Sequence, residues 1–362
     1  MSRPASTTRA FSLVELLVVI AIIAIVIAII VPALGHARTA ARVAVSRGLL
    51  NDVSNAAMTF GQDNGGRMPG YFSPADMGSA SNVDKSRGGF TAMENVMLEL
   101  NGLDAITGEA GLQGGGNGTQ GVLVGPHGNA GNAGKSGAKN VKVDIDLIGS
   151  GKRVYFTPDA KYYSPVDSQE ASKNHKALPD LIDAFGNPVL AWIEDPAMST
   201  EPSSPDEFAL IQTKPGDPRA RFYWASNFAF LSSPALAKGG KNQQTDSFLS
   251  STSIPSNSAS DPVLLSMVGV LGNPGFPTPA AFDASNVLPG AARGAFILHS
   301  AGPDGVYFGR KDKGAKLIDS DEIPYSAHFF DPAGNRYLDD AGKAAPIDLN
   351  AEFDDIMSSS GT

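Results

Sequence analysis

An uninterrupted apolar run near the N-terminus is the most regular pattern in the sequence. Residues 16–31 are all apolar, and Ser12 and Glu15 are the only polar residues within 11–34. A helix rises about 1.5 Å per residue, so residues 11–34 would form roughly 36 Å of helix, enough to cross the hydrocarbon core of a bilayer. The pattern therefore predicts a membrane-spanning helix over residues 11–34.

Apolar positions continue beyond this segment with a helical spacing. They recur mainly every four residues, which places them on one face of a helix, and they are Leu34, Ala41, Val45, Leu49, Val53, Ala57 and Phe60. Glycine and proline residues within 61–69 end the pattern for backbone reasons. We therefore predict one helix over residues 11–62, of which residues 35–62 are an amphipathic stem.

The remaining chain shows the shorter periods of β-structure. VKVDIDLI, residues 141–148, alternates apolar and polar residues and leads through GSGK into RVYF, which predicts a β-hairpin. Because long helices do not alternate with strands, we expect an antiparallel sheet and an α+β fold in which the long helix packs on that sheet. The other predicted elements are strands at 189–193, 208–211, 221–225 and 295–299 and a short helix at 91–100.

The composition of two segments predicts large loop insertions in a globular α+β domain that covers residues 63–362. Twelve of the 30 residues from 108 to 137 are glycine, which predicts a mobile insertion over 104–140, and seven serines lie in 247–260, within a second insertion over 241–260. The glycine-rich segment contains GNAGNAGKS, but a phosphate-binding loop needs glycine where Asn129 stands.

Charge is distributed unevenly along the chain. The 362 residues carry a net charge of −9, yet the first 50 hold five arginines and one acid, so the other 312 residues carry −13. An acidic body lacks the cationic face that phosphate backbones need, and we expect no nucleic-acid partner. The chain has no cysteine, which excludes disulfides and thiolate chemistry.

The N-terminal segment allows three interpretations from its residues alone. It could be a secretory signal peptide cleaved after Gly35-His36-Ala37, a plain membrane anchor, or an anchor with an added role. A plain anchor does not explain Glu15, because a carboxylate at the centre of a membrane helix costs about 2.5 to 3.5 kcal/mol, and less near an end.

The residues around Glu15 carry a family resemblance. The hexapeptide Ala-Phe-Ser-Leu-Val-Glu, residues 10–15, resembles the processing motif of type IV pilins and type II secretion pseudopilins. The resemblance implies that prepilin peptidase cuts between Ala10 and Phe11, removes residues 1–10 as a leader and methylates the new amino terminus at Phe11. It also implies that Glu15 meets the amine of a neighbouring subunit during assembly and that Pro32 loosens the helix. Ala10 departs from the family's usual glycine.

Three later segments extend this resemblance. GQDNGGRMP, residues 61–69, resembles the segment after the stem helix of major pseudopilins, and IDAFGNPVLAWI, residues 182–193, resembles the turn before a central strand. SAGPDG at 300–305 and FDDI at 353–356 resemble the family's calcium-binding C-terminal loop.

The last resemblance implies a Ca²⁺ site with Asp304, Asp354 and Asp355 as ligands, since calcium prefers several hard oxygens. The alternatives are a simple turn with solvated acids, or a second acidic cluster formed by Asp312, Asp319 and Asp321.

No catalytic motif emerges, and we predict that the protein is not an enzyme. HExxH and GxSxG are absent, and the five histidines are scattered without ligand spacing. His299 is expected to be a structural residue.

The resemblance as a whole implies a structural subunit of an envelope filament. Such a subunit would cross the inner membrane once with its globular domain on the extracytoplasmic side, then enter a filament of type II secretion kind. Its partners would be other subunits, prepilin peptidase and an inner-membrane assembly platform. The alternative is a monomeric anchored or secreted binding domain, for example for carbohydrate, in which the helix is only a tether or a signal peptide. The chain is longer than a compact major pseudopilin.

Overall fold

The computed structural model divides the chain into two compact units, residues 1–44 and 45–362. It describes residues 12–70, 92–100, 106–107, 119–124, 139–144, 153–164, 180–194, 227, 246–247, 262–277, 287–308, 324–349 and 355–360.

Helix α1, Leu13–Asp63, is a single helix of 51 residues. It ends in a tight turn in which the Gly66 amide donates to the Gly61 carbonyl over 2.7 Å, and Gly65 and Gly66 have positive φ. Such a 6→1 bond satisfies carbonyls that the last helical turn leaves without partners. The helix therefore covers the predicted range 11–62 except for its first two residues: Ser12 precedes the first helical turn, and Phe11 lies outside the described residues.

Within the first unit, α1 exposes apolar side chains on all sides. Every residue from 12 to 42 is exposed, and the large apolar side chains of this part are between 45% and 79% exposed. A helix that is apolar around its whole circumference is typical of a membrane span. By length and composition α1 can cross a membrane.

Within the second unit, the later part of α1 has one buried face, formed by Ser46, Leu49, Leu50, Val53, Ser54, Ala56, Ala57, Phe60 and Gly61. Two contacts secure its end. The Phe60 ring meets the Tyr155 ring edge-on at 5.2 Å, and Asp63 forms a 2.6 Å ion pair with Arg153.

The central sheet of the second unit has three antiparallel strands, in the order β10 (Ile356–Ser360), β8 (Phe296–Ser300) and β6 (Val189–Ile193). Pairing of β6 with β8 places Val189 opposite Ser300 and Ile193 opposite Phe296, and β10 continues the sheet with Ile356 opposite Ser300. All of β8 is buried, as is β6 except its last residue. Helix α2, Ala92–Leu100, packs on this sheet beside β6.

The elements of the second unit after α1 are as follows, in chain order. They are α2 Ala92–Leu100, β1 Ile106–Thr107, β2 Thr119–Val124, β3 Lys139–Asp144, a 3₁₀ turn Ala160–Tyr162, β4 Tyr163–Ser164, β5 Asp180–Leu181, β6 Val189–Ile193, β7 Asp246–Ser247, α3 Pro262–Leu271, β8 Phe296–Ser300, β9 Val306–Tyr307, a 3₁₀ turn Tyr325–His328 and β10 Ile356–Ser360.

The α+β class and the antiparallel sheet are confirmed, with β7 and β9 as a two-residue parallel exception. The helix predicted at 91–100 and the strands at 189–193 and 295–299 are present to within one residue. The strands predicted at 208–211 and 221–225 lie outside the described residues.

The predicted hairpin was wrong. Strand β3 pairs with β1 and β2, which precede it in the glycine-rich segment, and not with residues 153–156. The Tyr155 and Phe156 amides instead donate to the Leu100 carbonyl at the end of α2. Thr-Gln-Gly-Val-Leu-Val in β2 offers apolar and β-branched side chains despite its surroundings, which is why part of the glycine-rich segment forms strands.

One five-residue turn of the pattern Asp-x-x-Gly-x occurs three times in the described residues, beginning at Asp183, Asp331 and Asp339. In each turn the aspartate Oδ1 accepts the amide of the fifth residue over 2.7 to 2.8 Å. The glycine at the fourth position has φ of 94°, 83° and 75° respectively, in the region that glycine reaches without strain. The local sequence thus fixes a tight reversal at three places.

Candidate functional site

The first part of the candidate site is the beginning of α1, where Ser12 and Glu15 form a reciprocal pair. The Glu15 amide donates to Ser12 Oγ over 3.2 Å, and the Ser12 amide donates to Glu15 Oε2 over 2.8 Å. This is a capping box, in which a serine and a glutamate three residues later satisfy each other's backbone N–H groups. The sequence contains the required S-x-x-E spacing, but our sequence interpretation considered only the charge.

The capping box changes the interpretation of Glu15. The carboxylate lies in the first turn of the helix, where the positive end of the helix dipole favours an anion. It is also bonded within its own chain, so part of the hydrogen-bonding capacity of the carboxylate is already satisfied in a single chain. Ala10 and Phe11 lie outside the described residues, and the peptide bond between them with its neighbouring amine is therefore not described.

Pro32 lies inside α1 without ending it. Proline lacks an amide hydrogen, so the carbonyl four residues earlier receives no bond from it. The helix continues through this point, and the structure places Pro32 in the middle of a continuous helix.

The second part of the candidate site is the loop that follows β8. Gly302 and Gly305 have φ of 65° and 76°, and Asp304 Oδ1 accepts the Val306 amide over 2.8 Å. Asp304 therefore shapes a turn that leads into β9.

Asp355 approaches the end of this loop from the beginning of β10. Its Oδ2 atom lies 2.8 Å from His299 Nε2 and accepts the Phe308 amide over 3.2 Å. Of the acids proposed for calcium, Asp354 lies outside the described residues, as do Asp312, Asp319 and Asp321. The described part of the chain contains no group of three acidic or histidine side chains arranged to hold a metal ion.

His299 is fully buried between aromatic rings. Its ring lies 5.2 Å from the Tyr307 ring and 4.9 Å from the Phe308 ring, centre to centre, and its Nε2 atom faces Asp355. This position agrees with the structural role expected for it, because the histidine ties β8 to the start of β10 and shows no exposed surface.

A buried polar cluster around Asp183 was not predicted from the sequence. Asp183 Oδ1 accepts the Phe185 and Asn187 amides, both over 2.8 Å, while Ser300 Oγ donates to Asp183 Oδ2 over 2.5 Å. Asn187 Nδ2 donates to the Gly302 carbonyl over 2.8 Å. The turn before β6 is thereby bonded to the loop after β8.

Burial and hydrogen bonding shift the pKa of Asp183 in opposite directions. Desolvation by burial raises its pKa above the usual value, and the bonds from Ser300, Asn187 and Phe185 partly oppose that rise. The Tyr307 hydroxyl adds a further bond to the Pro188 carbonyl next to the turn. The sequence signal for this cluster is the Asp-x-x-Gly-Asn pattern at 183–187, which predicts the turn but not its partner 117 residues later.

Comparison with known proteins gives one informative result. No curated protein and no solved structure matches the chain significantly. Residues 6–31, however, match the prokaryotic N-terminal methylation motif, so the chain carries at its N-terminus the signature of type IV pilin- and pseudopilin-like precursors.

Proposed function

We propose that this protein is a structural subunit of a pilin- or pseudopilin-type envelope filament, of type II secretion kind. The observation that carries the proposal is the match of residues 6–31 to the methylation motif at the start of a helix that is apolar on all sides. Prepilin peptidase would cut between Ala10 and Phe11, and the apolar segment would stay in the mature subunit.

Assembly would use Glu15 at the start of this helix. Apolar helices gain no hydrophobic energy from one another in lipid, so their association depends on packing and polar contacts. The Phe11 amine of a neighbouring subunit would give the Glu15 carboxylate an opposite charge, in addition to or in place of its capping bond to Ser12. The cost of a carboxylate in lipid then favours the assembled state.

The proposed orientation rests on the motif and not on flanking charge. Two arginines precede the apolar segment, Arg3 and Arg9, whereas three follow it within the next 13 residues. The side before the segment therefore carries no excess of positive charge, and the positive-inside rule does not by itself direct the N-terminus to the cytoplasm. We place the globular unit on the extracytoplasmic side of the inner membrane, with an assembly platform in that membrane as the partner.

The test is the N-terminal sequence and mass of the mature protein from isolated membranes. A chain that begins at Phe11 with about 14 Da added for a methyl group would support the proposal. A start at Arg38 would indicate an ordinary signal peptide and a secreted domain, and an intact Met1 or Ser2 would leave a membrane tether. Either of these two results would contradict the proposal and favour the binding-domain alternative.

A substitution at Glu15 separates the filament subunit from the tether. In Glu15→Leu the helix becomes more apolar, so membrane insertion should persist while filament assembly is lost, as measured by pelleting of sheared filaments. Glu15→Asp, which keeps the charge, is the matched control. A Leu variant that assembles as well as wild type would contradict the proposed role of the carboxylate.

We further propose calcium binding at the loop after β8, with Asp304, Asp354 and Asp355 as the oxygen ligands. The support is the ligand chemistry and the convergence of this loop with the start of β10 at Phe308 and Asp355. Calcium would join two segments that lie 47 residues apart in the chain. Such a link would act on stability and not on catalysis.

A further inference from the structure

Three arginines follow the apolar segment on α1, and the proposed function does not use them. Arg38, Arg42 and Arg47 are all exposed, and no acidic residue occurs between Glu15 and Asp52. This basic part of the helix contrasts with the rest of the chain, because residues 51–362 carry a net charge of −13.

The position of these arginines relative to the span is set by helix geometry. Residues 13–34 form about 33 Å of helix, slightly more than the hydrocarbon thickness of a bilayer. Arg38 follows Leu34 by about 6 Å and Arg42 by about 12 Å along the axis. The headgroup layer extends roughly 5 to 7 Å beyond the hydrocarbon, and arginine side chains reach back several ångströms toward it. Arg47 lies about 7.5 Å further along α1 than Arg42.

Arg38 and Arg42 are also four residues apart, so they share one face of the helix. A guanidinium group is planar, stays charged and donates two parallel hydrogen bonds to a phosphate. Two such groups at the depth of the phosphates would bind anionic headgroups. Zwitterionic headgroups carry no net charge and would not attract the guanidinium groups in the same way.

We propose that Arg38 and Arg42 form a docking site for anionic phospholipid headgroups at the membrane surface where α1 leaves the bilayer. The proposal goes beyond filament assembly and requires only that α1 spans the membrane.

The experiment uses the full chain, purified in neutral detergent without assembly, and counts the lipids it retains by native mass spectrometry. Phosphatidylglycerol and phosphatidylcholine are the probes. Wild type should retain phosphatidylglycerol preferentially. Arg38→Gln with Arg42→Gln should weaken that retention about 25-fold, about fivefold for each arginine, and leave phosphatidylcholine unchanged. Glutamine is a good helix former, so α1 should persist, as circular dichroism would show.

Arg47→Gln is the matched control on the same helix and should stay within about twofold of wild type, because Arg47 lies beyond the headgroup layer. Equal retention of the two lipids by wild type would overturn the proposal, and so would a double variant that holds phosphatidylglycerol as wild type does. A double variant that assembles poorly while its lipid retention is unchanged would assign this face to a protein partner instead. Because the assay needs no filament, a failure of filament assembly or of cleavage before Phe11 would leave its outcome unaffected. A mature chain that starts at Arg38 would lack the span and would overturn both proposals.

Discussion

At the scale of single residues, the structure gives Glu15 a role that charge alone does not suggest. The carboxylate caps its own helix through the Ser12 amide, and Ser12 returns the bond to the Glu15 amide. A residue placed in an apolar segment thus satisfies backbone groups that lipid would leave without partners. Any contact with a neighbouring subunit must compete with this local bond or share the carboxylate with it.

Removal of the Ser12 hydroxyl should fray the beginning of α1. Loss of an N-cap costs about 1 kcal/mol, so Ser12→Ala should speed amide hydrogen exchange about fivefold at Glu15 and Leu16, whose amides donate to Ser12. Ser12→Thr keeps the hydroxyl and should exchange like wild type. Unchanged exchange in the alanine variant would show that the cap does not hold this turn.

Ser300 should matter most when Asp183 is charged. Ser300→Ala removes the hydroxyl that bonds Asp183 Oδ2 and should lower the free energy of unfolding by about 1 to 3 kcal/mol at pH 7. Burial holds the Asp183 pKa above its ordinary value, and loss of the hydroxyl should raise that pKa further. The folded state then binds the proton more tightly than the unfolded state. The stability from this group is therefore present below about pH 4 and is lost as the pH rises through the folded pKa.

Urea unfolding of the Ser300→Ala variant at neutral and at acidic pH would measure this effect, with a larger loss expected at neutral pH. Ser359→Ala, which changes an exposed serine on β10, is the control and should have little effect. If Ser300→Ala lost the same free energy of unfolding at both pH values, the charge of Asp183 would not be the reason for the loss.

At the scale of secondary-structure elements, the repeated Asp-x-x-Gly-x turn allows the free-energy cost of a positive φ angle to be measured at its glycine. Gly334 has φ of 83°, and a Cβ atom added there would meet no heavy atom within 4 Å. Gly334→Ala should therefore lower the free energy of unfolding by about 1 to 2 kcal/mol through its backbone alone.

Gly48→Ala is the matched control for Gly334→Ala. Gly48 lies within α1 and also has open space around its Cβ position, but alanine is favoured in a helix. This variant should raise the free energy of unfolding by about 0.5 to 1 kcal/mol. Chemical denaturation of both variants should show opposite signs, and a shared sign would contradict the argument from φ.

The elements also show what the sequence could and could not predict. The long helix and the strands β6 and β8 were predictable, because apolar residues mark them by period or by continuous runs. Strand β10 was not, since Ile-Met-Ser-Ser-Ser has little apolar character and owes its conformation to pairing with β8. The capping box was visible as S-x-x-E, whereas the bond between Asp183 and Ser300 spans 117 residues and depends on the register of β6 with β8.

At the scale of the whole molecule, two compact units of different chemistry share one chain. The first is apolar and basic, and the second carries the negative charge, the buried sheet and the proposed calcium loop. Their division falls between Ala44 and Val45, inside α1. The chemistry of the first unit therefore suits contact with lipid, and that of the second suits contact with water.

Calcium, if held as proposed, should stabilise the second unit measurably. At a free concentration 100-fold above Kd, a ligand that binds only the folded state adds about 2.7 kcal/mol, so calcium should raise Tm relative to EGTA. Asp304→Asn should remove the shift, and Asp340→Asn, which changes an exposed acid in another turn, should keep it. Absence of any shift in wild type, or its persistence in Asp304→Asn, would contradict the calcium site.

The continuity of α1 also has a mechanical consequence. A tensile load along α1 passes Pro32, where one helical hydrogen bond is missing, and reaches the buried face of the helix in the second unit. There it meets the bond from the Ala184 amide to Ser46 at one end and the pair of Asp63 with Arg153 at the other. These contacts lie 17 residues apart, about 26 Å along the helix axis. The load is therefore distributed along the buried face of the helix, and detachment of the helix from the second unit would require many contacts to break together.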